Sequence, residues 1–290
     1  MKRFPAAAAA IPVWLALAAP APAAFPGLNG KIVFDRDDGL FLVDPDGTGI
    51  QRLTRSKQFD FAPSFSPDGE QLVFERDFAT LYVVSVRGGK PRRLTDRKVD
   101  CCAAFAPGGH KIAFSRELHN SSEIFTMRLD GTHLFQVTHA HHASEAFNEF
   151  PAFSPKGGRI AFDRAEIGRG IFAVDNDGGH LKRLTQGEFD VSPNWSPDGR
   201  RIVFSHGTQI SVMNADGTHR HRLTHDGFDN QWPVFSPNGR KIAYVRFTPE
   251  SGARDGIFMM NADGSHVRRV TYGASGKIDW QPVPGPEPAP

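Results

Sequence analysis

Cysteine is nearly absent from this 290-residue chain, since Cys101 and Cys102 are the only two. Adjacent cysteines close no long loop, so a disulfide framework is excluded. The pair reads either as a strained vicinal disulfide or as two thiols, and thiols are favoured because disulfide geometry is demanding. Charge of one sign is lacking too. Lys and Arg number 34 against 32 Asp and Glu, and Lys2 and Arg3 account for the difference. The remainder is formally neutral and has no global pull toward nucleic acid or anionic lipid. No long amphipathic helical pattern occurs. The nucleophile elbow, metalloprotease helix, phosphate loop and dinucleotide fingerprint are all missing, and Gly273 to Lys277 fails the phosphate-loop pattern because Ile278 follows the lysine.

One apolar stretch runs from Ala6 to Ala19, behind Lys2 and Arg3 and ahead of Ala21-Pro22-Ala23. Together these predict a secretory signal peptide over residues 1–23. The stretch contains Pro12 and is short for a membrane span of about 20 residues, and no cysteine near the cleavage site offers a lipid anchor. The expected product is an exported monomer, periplasmic or extracellular, with no membrane span after signal removal.

What is abundant is a repeat. Phe65-Ser66-Pro67-Asp68-Gly69 returns at Phe105, Phe153, Trp195 and Phe235, with the prolines separated by 40, 48, 42 and 40 residues. That spacing suits four short strands per unit. Each turn is followed by an alternating apolar pair such as Leu72/Phe74 or Ile202/Phe204, and period two means a strand. A third segment ends in a glycine hairpin at Gly47, Gly88, Gly131, Gly178, Gly217 or Gly264. A fourth ends in an aliphatic residue and threonine, as in Leu53-Thr54 and Leu184-Thr185. Six fourth strands accompany only five complete first-strand turns. The chain begins its repeats at a second strand, Asn29 to Phe34, and stops after a first strand, Ile278 to Pro282. The two halves complement each other. The predicted fold is all-β, a six-bladed β-propeller of four-stranded blades over residues 24–282, closed by pairing the N- and C-terminal strands in one blade. The aromatics Phe65, Phe105, Phe153, Trp195, Phe235 and Trp280 are expected between neighbouring sheets, and residues 283–290 form a proline-rich extended tail.

The aromatic-Ser-Pro-Asp-Gly turn, the Asn-Ala-Asp-Gly hairpin and the Arg-Leu-Thr strand resemble the propeller repeats of the TolB-like family, over about residues 29 to 282. In TolB such a propeller follows an N-terminal α/β domain and works in the periplasm as a protein-binding part of the Tol-Pal envelope system. Here the repeats start within a few residues of the expected cleavage site, so that domain is not expected. The resemblance implies fold and compartment more than membership of that system. The third repeat departs from the pattern at Ala106 and Gly108, and Arg87 replaces aspartate at one hairpin, which predicts looser turns.

Five residues before each first-strand aromatic stand Asp60, Asp100, Asn148, Asp190, Asn230 and Ser275. Rotational repetition predicts a ring at one mouth of the axial channel. Its oxygens could hold calcium, or a basic or N-terminal group of a peptide, although Asp and Asn in such loops also serve turn chemistry. A second cluster, His139, His141, His142, Glu145 and Glu149, offers imidazole and carboxylate to a transition metal, without any fixed ligand spacing. It is similar to oligogalacturonate lyases, propeller enzymes that use a histidine-bound metal, but no catalytic residue can be matched. His133, His180, His219 and His266 recur two residues after hairpin glycines and read as surface decoration, while Asp44/Asp46 and Asp175/Asp177 read as hairpin turns.

The expectation is a non-catalytic binding protein, requiring no cofactor, that presents one face or its channel mouth to a protein or peptide partner in the cell envelope. The alternative is a metal-dependent polysaccharide lyase or hydrolase acting through the His139–Glu149 loop. A regulatory propeller split from a peptidase is a third possibility.

Overall fold

Alternating apolar residues bounded by glycine turns become strands wherever the repeat places them. The computed structural model describes residues 27–36, 39–96, 99–139, 146–165, 170–186, 189–248 and 255–285, and these contain strands and turns but no helix. The expected signal peptide and the end of the tail lie outside the described residues.

The strands follow one order. β1 (Leu28–Arg36), β2 (Gly39–Val43) and β3 (Gln51–Arg52) form the first group. β4 (Asp60–Phe65), β5 (Gln71–Arg76), β6 (Thr80–Ser85) and β7 (Arg92–Arg93) form a second. Next come β8 (Asp100–Phe105), β9 (Lys111–Leu118), β10 (Ser121–Arg128) and β11 (Phe135–Gln136), then β12 (Phe147–Phe153), β13 (Arg159–Ala165), β14 (Gly170–Asp175) and β15 (Lys182–Arg183). The last groups are β16 (Asp190–Trp195), β17 (Arg201–His206), β18 (Gln209–Asn214) and β19 (His221–Arg222), followed by β20 (Asp229–Phe235), β21 (Lys241–Phe247), β22 (Gly256–Asn261) and β23 (Arg268–Tyr272). The chain returns to the start with β24 (Asp279–Val283), which pairs antiparallel with β1 through Ile32↔Trp280 and Val33↔Asp279. The Trp280 indole donates to Gly30 O at 3.1 Å, and Asp279 accepts the Phe65 amide at 2.7 Å, tying the closing strand to β4 of the next sheet.

The expectation of six separate four-stranded blades is corrected. Four discrete four-stranded sheets are present, β24-β1-β2-β3, β4 to β7, β16 to β19 and β20 to β23, while the other eight strands form one continuous sheet. The join is a parallel contact between β10 and β12 at Ser122↔Phe147. Its cause is legible in the strand lengths. β9 and β10 each run for 8 residues, so their hairpin projects past its counterparts and brings Ser122 alongside the start of β12. There the Ser122 amide donates to Ala146 O at 3.1 Å, and Asn148 Nδ2 donates to Ser122 O at 3.0 Å.

The repeat motifs have local physical reasons. In the Ser-Pro-Asp-Gly turn the Ser66 hydroxyl donates to Asp68 Oδ1 at 2.5 Å and accepts the Gln71 amide at 2.9 Å, while Gly69 supplies a φ of 71°. Ala106 removes that hydroxyl from the third repeat, yet the backbone bonds Ala106 N to Lys111 O and Gly109 N to Ala106 O remain, at 2.8 and 2.9 Å. The turn therefore keeps its form. The recurring threonine completes strand pairing where the fourth strand stops: Thr54, Thr95, Thr138, Thr185 and Thr224 accept the amides of Leu40, Leu81, Ile124, Ile171 and Ile210 at 2.9–3.1 Å. The recurring histidines end hairpins in the left-handed region, with φ between 48° and 56° at His133, His180, His219 and His266. Histidine is among the non-glycine residues that tolerate it best.

Packing follows from the sheets standing face to face. Second strands are buried on both sides, as in Ile202, Val203 and Phe204, so their period-two pattern marks two covered faces rather than one wet and one dry. Phe105 packs against Val73, Leu81 and Val83 of the preceding sheet, Trp195 against Ala161 and Ile171, and Trp280 against Val234 and Met259. Each such aromatic contributes about 1.5–3 kcal/mol by burial. First strands line the axis and contact one another around it.

Candidate binding face and the ring beneath it

The six positions predicted as a ring all sit at the same end of their repeats, and the side chains that meet them come from the end of the adjacent second strand. Asp60 takes Arg76 in a two-point ion pair, with Nε–Oδ1 at 2.6 Å and Nη2–Oδ2 at 2.9 Å, and Asp100 holds Arg116 with the same distances. Arg164 Nε donates to Asn148 Oδ1 at 2.6 Å, and Arg246 Nε donates to Asn230 Oδ1 at 2.9 Å. His206 replaces arginine opposite Asp190 at 2.7 Å, and Arg220 from before β19 adds a guanidinium contact at 3.1 Å. Strand register dictates these pairs, since Asp60↔Arg76, Asp100↔Arg116, Asn148↔Arg164, Asp190↔His206 and Asn230↔Arg246 are direct cross-strand partners. Asp60, Asp100, Asn148, Asp190 and Asn230 are buried, each with own-chain partners.

Each of these arginines also covers an aromatic. Arg116 lies 5.1 Å from the Phe114 ring centroid and 5.2 Å from Phe125, and Arg164 and Arg246 lie similarly over Phe162/Phe172 and Tyr244/Phe258. Acid or amide, guanidinium and ring thus form a layer that seals the apolar seams at this end. The sixth position differs. Ser275 donates to Asp35 Oδ2 at 2.5 Å, and Arg36 turns to the Tyr272 carbonyl. Burial pushes the Asp35 carboxyl up to about 6, against the hydrogen bond from Ser275.

One step outside the buried ring the same loops expose apolar side chains. Phe59, Val99, Phe147 and Phe189 each precede a ring residue and are 57%, 43%, 36% and 63% exposed. Phe228 is exposed as well, and Phe78 from the β5–β6 hairpin packs tilted against Phe61 with ring centroids 4.2 Å apart. The Asp77 amide bonds Phe59 O at 3.0 Å, which places the hairpin tip and the loop on one surface. Beside Phe189 an open depression of ≈ 610 Å³ is bounded by His206, Gln209, Arg222 and His225. The axial cavity is far smaller. Lined by Phe150, Ser192, Trp232 and Lys277 among others, it measures ≈ 70 Å³, below the roughly 300 Å³ at which small-molecule pockets begin.

Of the predicted metal cluster, His141, His142 and Glu145 lie outside the described residues. Glu149 lies on β12, and His139 follows the Thr138 that closes β11. Among the described residues one group brings three metal-binding side chains together, Glu75, Cys101 and Cys102. Burial pushes the Glu75 carboxyl up to about 8, against a hydrogen bond from the Cys102 amide. Contact with Cys101 and burial push the Cys102 thiol up. Sequence reasoning missed both this cluster and the cations of the ring. The cations had a signal, a basic residue two positions after each second-strand aromatic; Glu75 had none, because it lies a repeat away from the cysteines.

The repeat geometry has counterparts. The family model described as the TolB beta propeller domain matches residues 28–279. The chain belongs to that family. A TolB homolog of Chlorobium luteolum is 29% identical over 127 residues, covering 42% of this chain and 28% of that protein. The Tol-Pal system protein TolB of Gluconobacter oxydans is 46% identical over 59 residues, 19% of this chain and 13% of that protein. The chain thus spans well under half the length of these curated relatives. The crystal structure of TolB from Acinetobacter baumannii superposes with a TM-score of 0.71 at 22% identity, covering 87% of this chain and 67% of that one. At that identity the likeness is one of fold.

Proposed function

We propose that this TolB-family propeller is an exported, non-catalytic binding protein of the cell envelope, and that it meets a protein partner through the end that carries Phe59, Phe78, Val99, Phe147, Phe189 and Phe228. The observation that carries the reading is the recurrence, in four repeats, of an exposed apolar side chain just before a buried, paired polar residue, with Phe78 and Phe228 exposed nearby. Large exposed apolar residues gathered on one face mark interaction surfaces. The small axial cavity favours contact across the face over capture of a ligand in the channel. The buried Asp60, Asp100, Asn148, Asp190 and Asn230 support this face from beneath.

Export rests on Lys2, Arg3, the apolar stretch and Ala21-Pro22-Ala23. The name of the Gluconobacter relative supports an assembly of the Tol-Pal kind as the class of partner. Fractionation with N-terminal sequencing tests export: a mature chain beginning at Ala24 is expected, and retention of Met1 in the cytoplasm would refute it.

Affinity capture from envelope extract tests the face. The protein is compared with a variant carrying Phe59→Ser, Phe78→Ser and Phe189→Ser, all surface positions whose replacement leaves the core intact. Loss of the captured partner is expected from this variant. Equal recovery of every partner by both forms would refute the reading.

A further inference from the structure

Two neighbouring residues of a regular strand point to opposite faces, so Cys101 and Cys102 should diverge. They do not. At the bulge between Cys101 and Ala104 the register of β8 against β9 shifts, Cys102 takes a φ of 61°, and the two sulfurs come to 2.7 Å. Glu75 reaches the same spot from β5 of the neighbouring sheet, and ligand atoms of the three residues all lie within 4.8 Å of one another. Glu75 and Cys102 are buried, whereas Cys101 is half-buried and leaves a route from solvent.

The same bulge recurs with Ala62, Phe150, Ser192 and Trp232 in place of Cys102, all at positive φ. Its structural duty is visible there. The amide of the bulged residue bonds a second-strand side chain of the preceding repeat, Ser192 to Asp163 at 3.0 Å and Trp232 to Ser205 at 3.1 Å. Glu75 performs that duty for the Cys102 amide. Asp163 performs that duty with a carboxylate and no sulfur at its bulge, so the duty accounts for an acid at Glu75 but not for two sulfurs converging beside it.

We propose that Glu75, Cys101 and Cys102 bind one thiophilic divalent cation of the zinc class, bridging two adjacent sheets that share no strand pairing. Two thiolates and a carboxylate are a donor set for a borderline-soft ion and not for calcium or magnesium; at about 2.3 Å to each sulfur, tetrahedral binding parts the sulfurs from 2.7 Å to about 3.7 Å, with about 2.0–2.2 Å to oxygen. Asp100 and Glu149 add negative potential at Glu75, and Lys277 opposes it. Binding as two thiolates and a carboxylate releases the two thiol protons and the Glu75 carboxyl proton to solvent, and the fourth position is open to water on the Cys101 side. The site is separate from the exposed face proposed above and stands or falls without it.

The test uses the full chain, reduced and then freed of reductant, titrated with Cd²⁺ and with Zn²⁺. One equivalent of Cd²⁺ is expected to develop thiolate-to-cadmium absorption, and Zn²⁺ is expected to raise the thermal midpoint. Cys101→Ser and Cys102→Ala should each abolish the absorption; alanine is tolerated at the bulge, since Ala62 occupies it in another repeat. Glu75→Gln should weaken the ion at least tenfold while keeping the amide acceptor. Absence of saturable binding by the reduced chain, binding unchanged in Cys101→Ser and Glu75→Gln, or recovery of the cysteines as a disulfide that reductant does not open would each overturn the proposal.

Discussion

Asp100 and Arg116 face each other across β8 and β9 in a two-point ion pair, 2.6 Å from Nε to Oδ1 and 2.9 Å from Nη2 to Oδ2, with the carboxylate fully buried. Removing one partner of such a pair leaves an uncompensated buried charge. Asp100→Ala is therefore expected to cost about 3–5 kcal/mol in urea unfolding. Asp100→Asn should cost clearly less, because Asn148 and Asn230 hold their arginines through the amide oxygen. Equal losses for the two variants would show that the pair charge, rather than the acceptor, matters.

Thr185 accepts the Ile171 amide at 3.0 Å where the fourth strand stops pairing. Thr185→Val keeps the shape and removes the acceptor, so a loss of about 1–3 kcal/mol is expected, whereas Thr185→Ser keeps the acceptor and should lose much less. Thermal unfolding of both variants checks this.

The closing strand predicts a larger effect. Trp280 fills the seam against Val234 and Met259 and donates to Gly30 O, so Trp280→Ala removes packing and a hydrogen bond from the joint between the two ends of the ring. A loss of about 3–5 kcal/mol is expected. A change below about 1 kcal/mol would mean that the ring does not depend on its closure.

Asp35 gives a pH dependence. Its carboxyl is pushed from 3.8 to about 6 by burial, so between these values the folded chain keeps a proton that the unfolded chain gives up. Stability from this group is therefore present below about pH 4, falls as pH rises through the window and levels off above about 6. Asp35→Asn should match the wild type near pH 4 and exceed it by about 2–3 kcal/mol near pH 7.5. A constant difference across that range would contradict it.

Much of this was readable from residues alone, for definite reasons. Ser66, Gly69 and Thr54 act within their own turn or hairpin, so their roles recur at fixed spacing and declare themselves. The order of strands, including β24 beside β1, follows from the same local rules. The fusion of β10 with β12 does not, because it depends on how far one hairpin projects, and the 48-residue interval between Pro107 and Pro155 signals an insertion without saying where it lands. The ring positions were legible as a set, while their burial beneath Arg76, Arg116, Arg164, His206 and Arg246 required the register. Glu75 meeting Cys101 and Cys102 is a contact between sheets, for which a repeat seen one unit at a time carries no signal.

The contact between Ser122 and Phe147 also makes the ring mechanically uneven. Elsewhere sheets meet through side chains and single backbone bonds, such as Asp100 N to Ala79 O and Asn230 N to Thr208 O, whereas here two repeats share a strand bridge. When the ring breathes, its other seams should part more readily, and the stretch from β8 to β15 should move as one plate. Amide exchange should report that difference directly, with the Ser122 amide protected as long as the strands on either side of it.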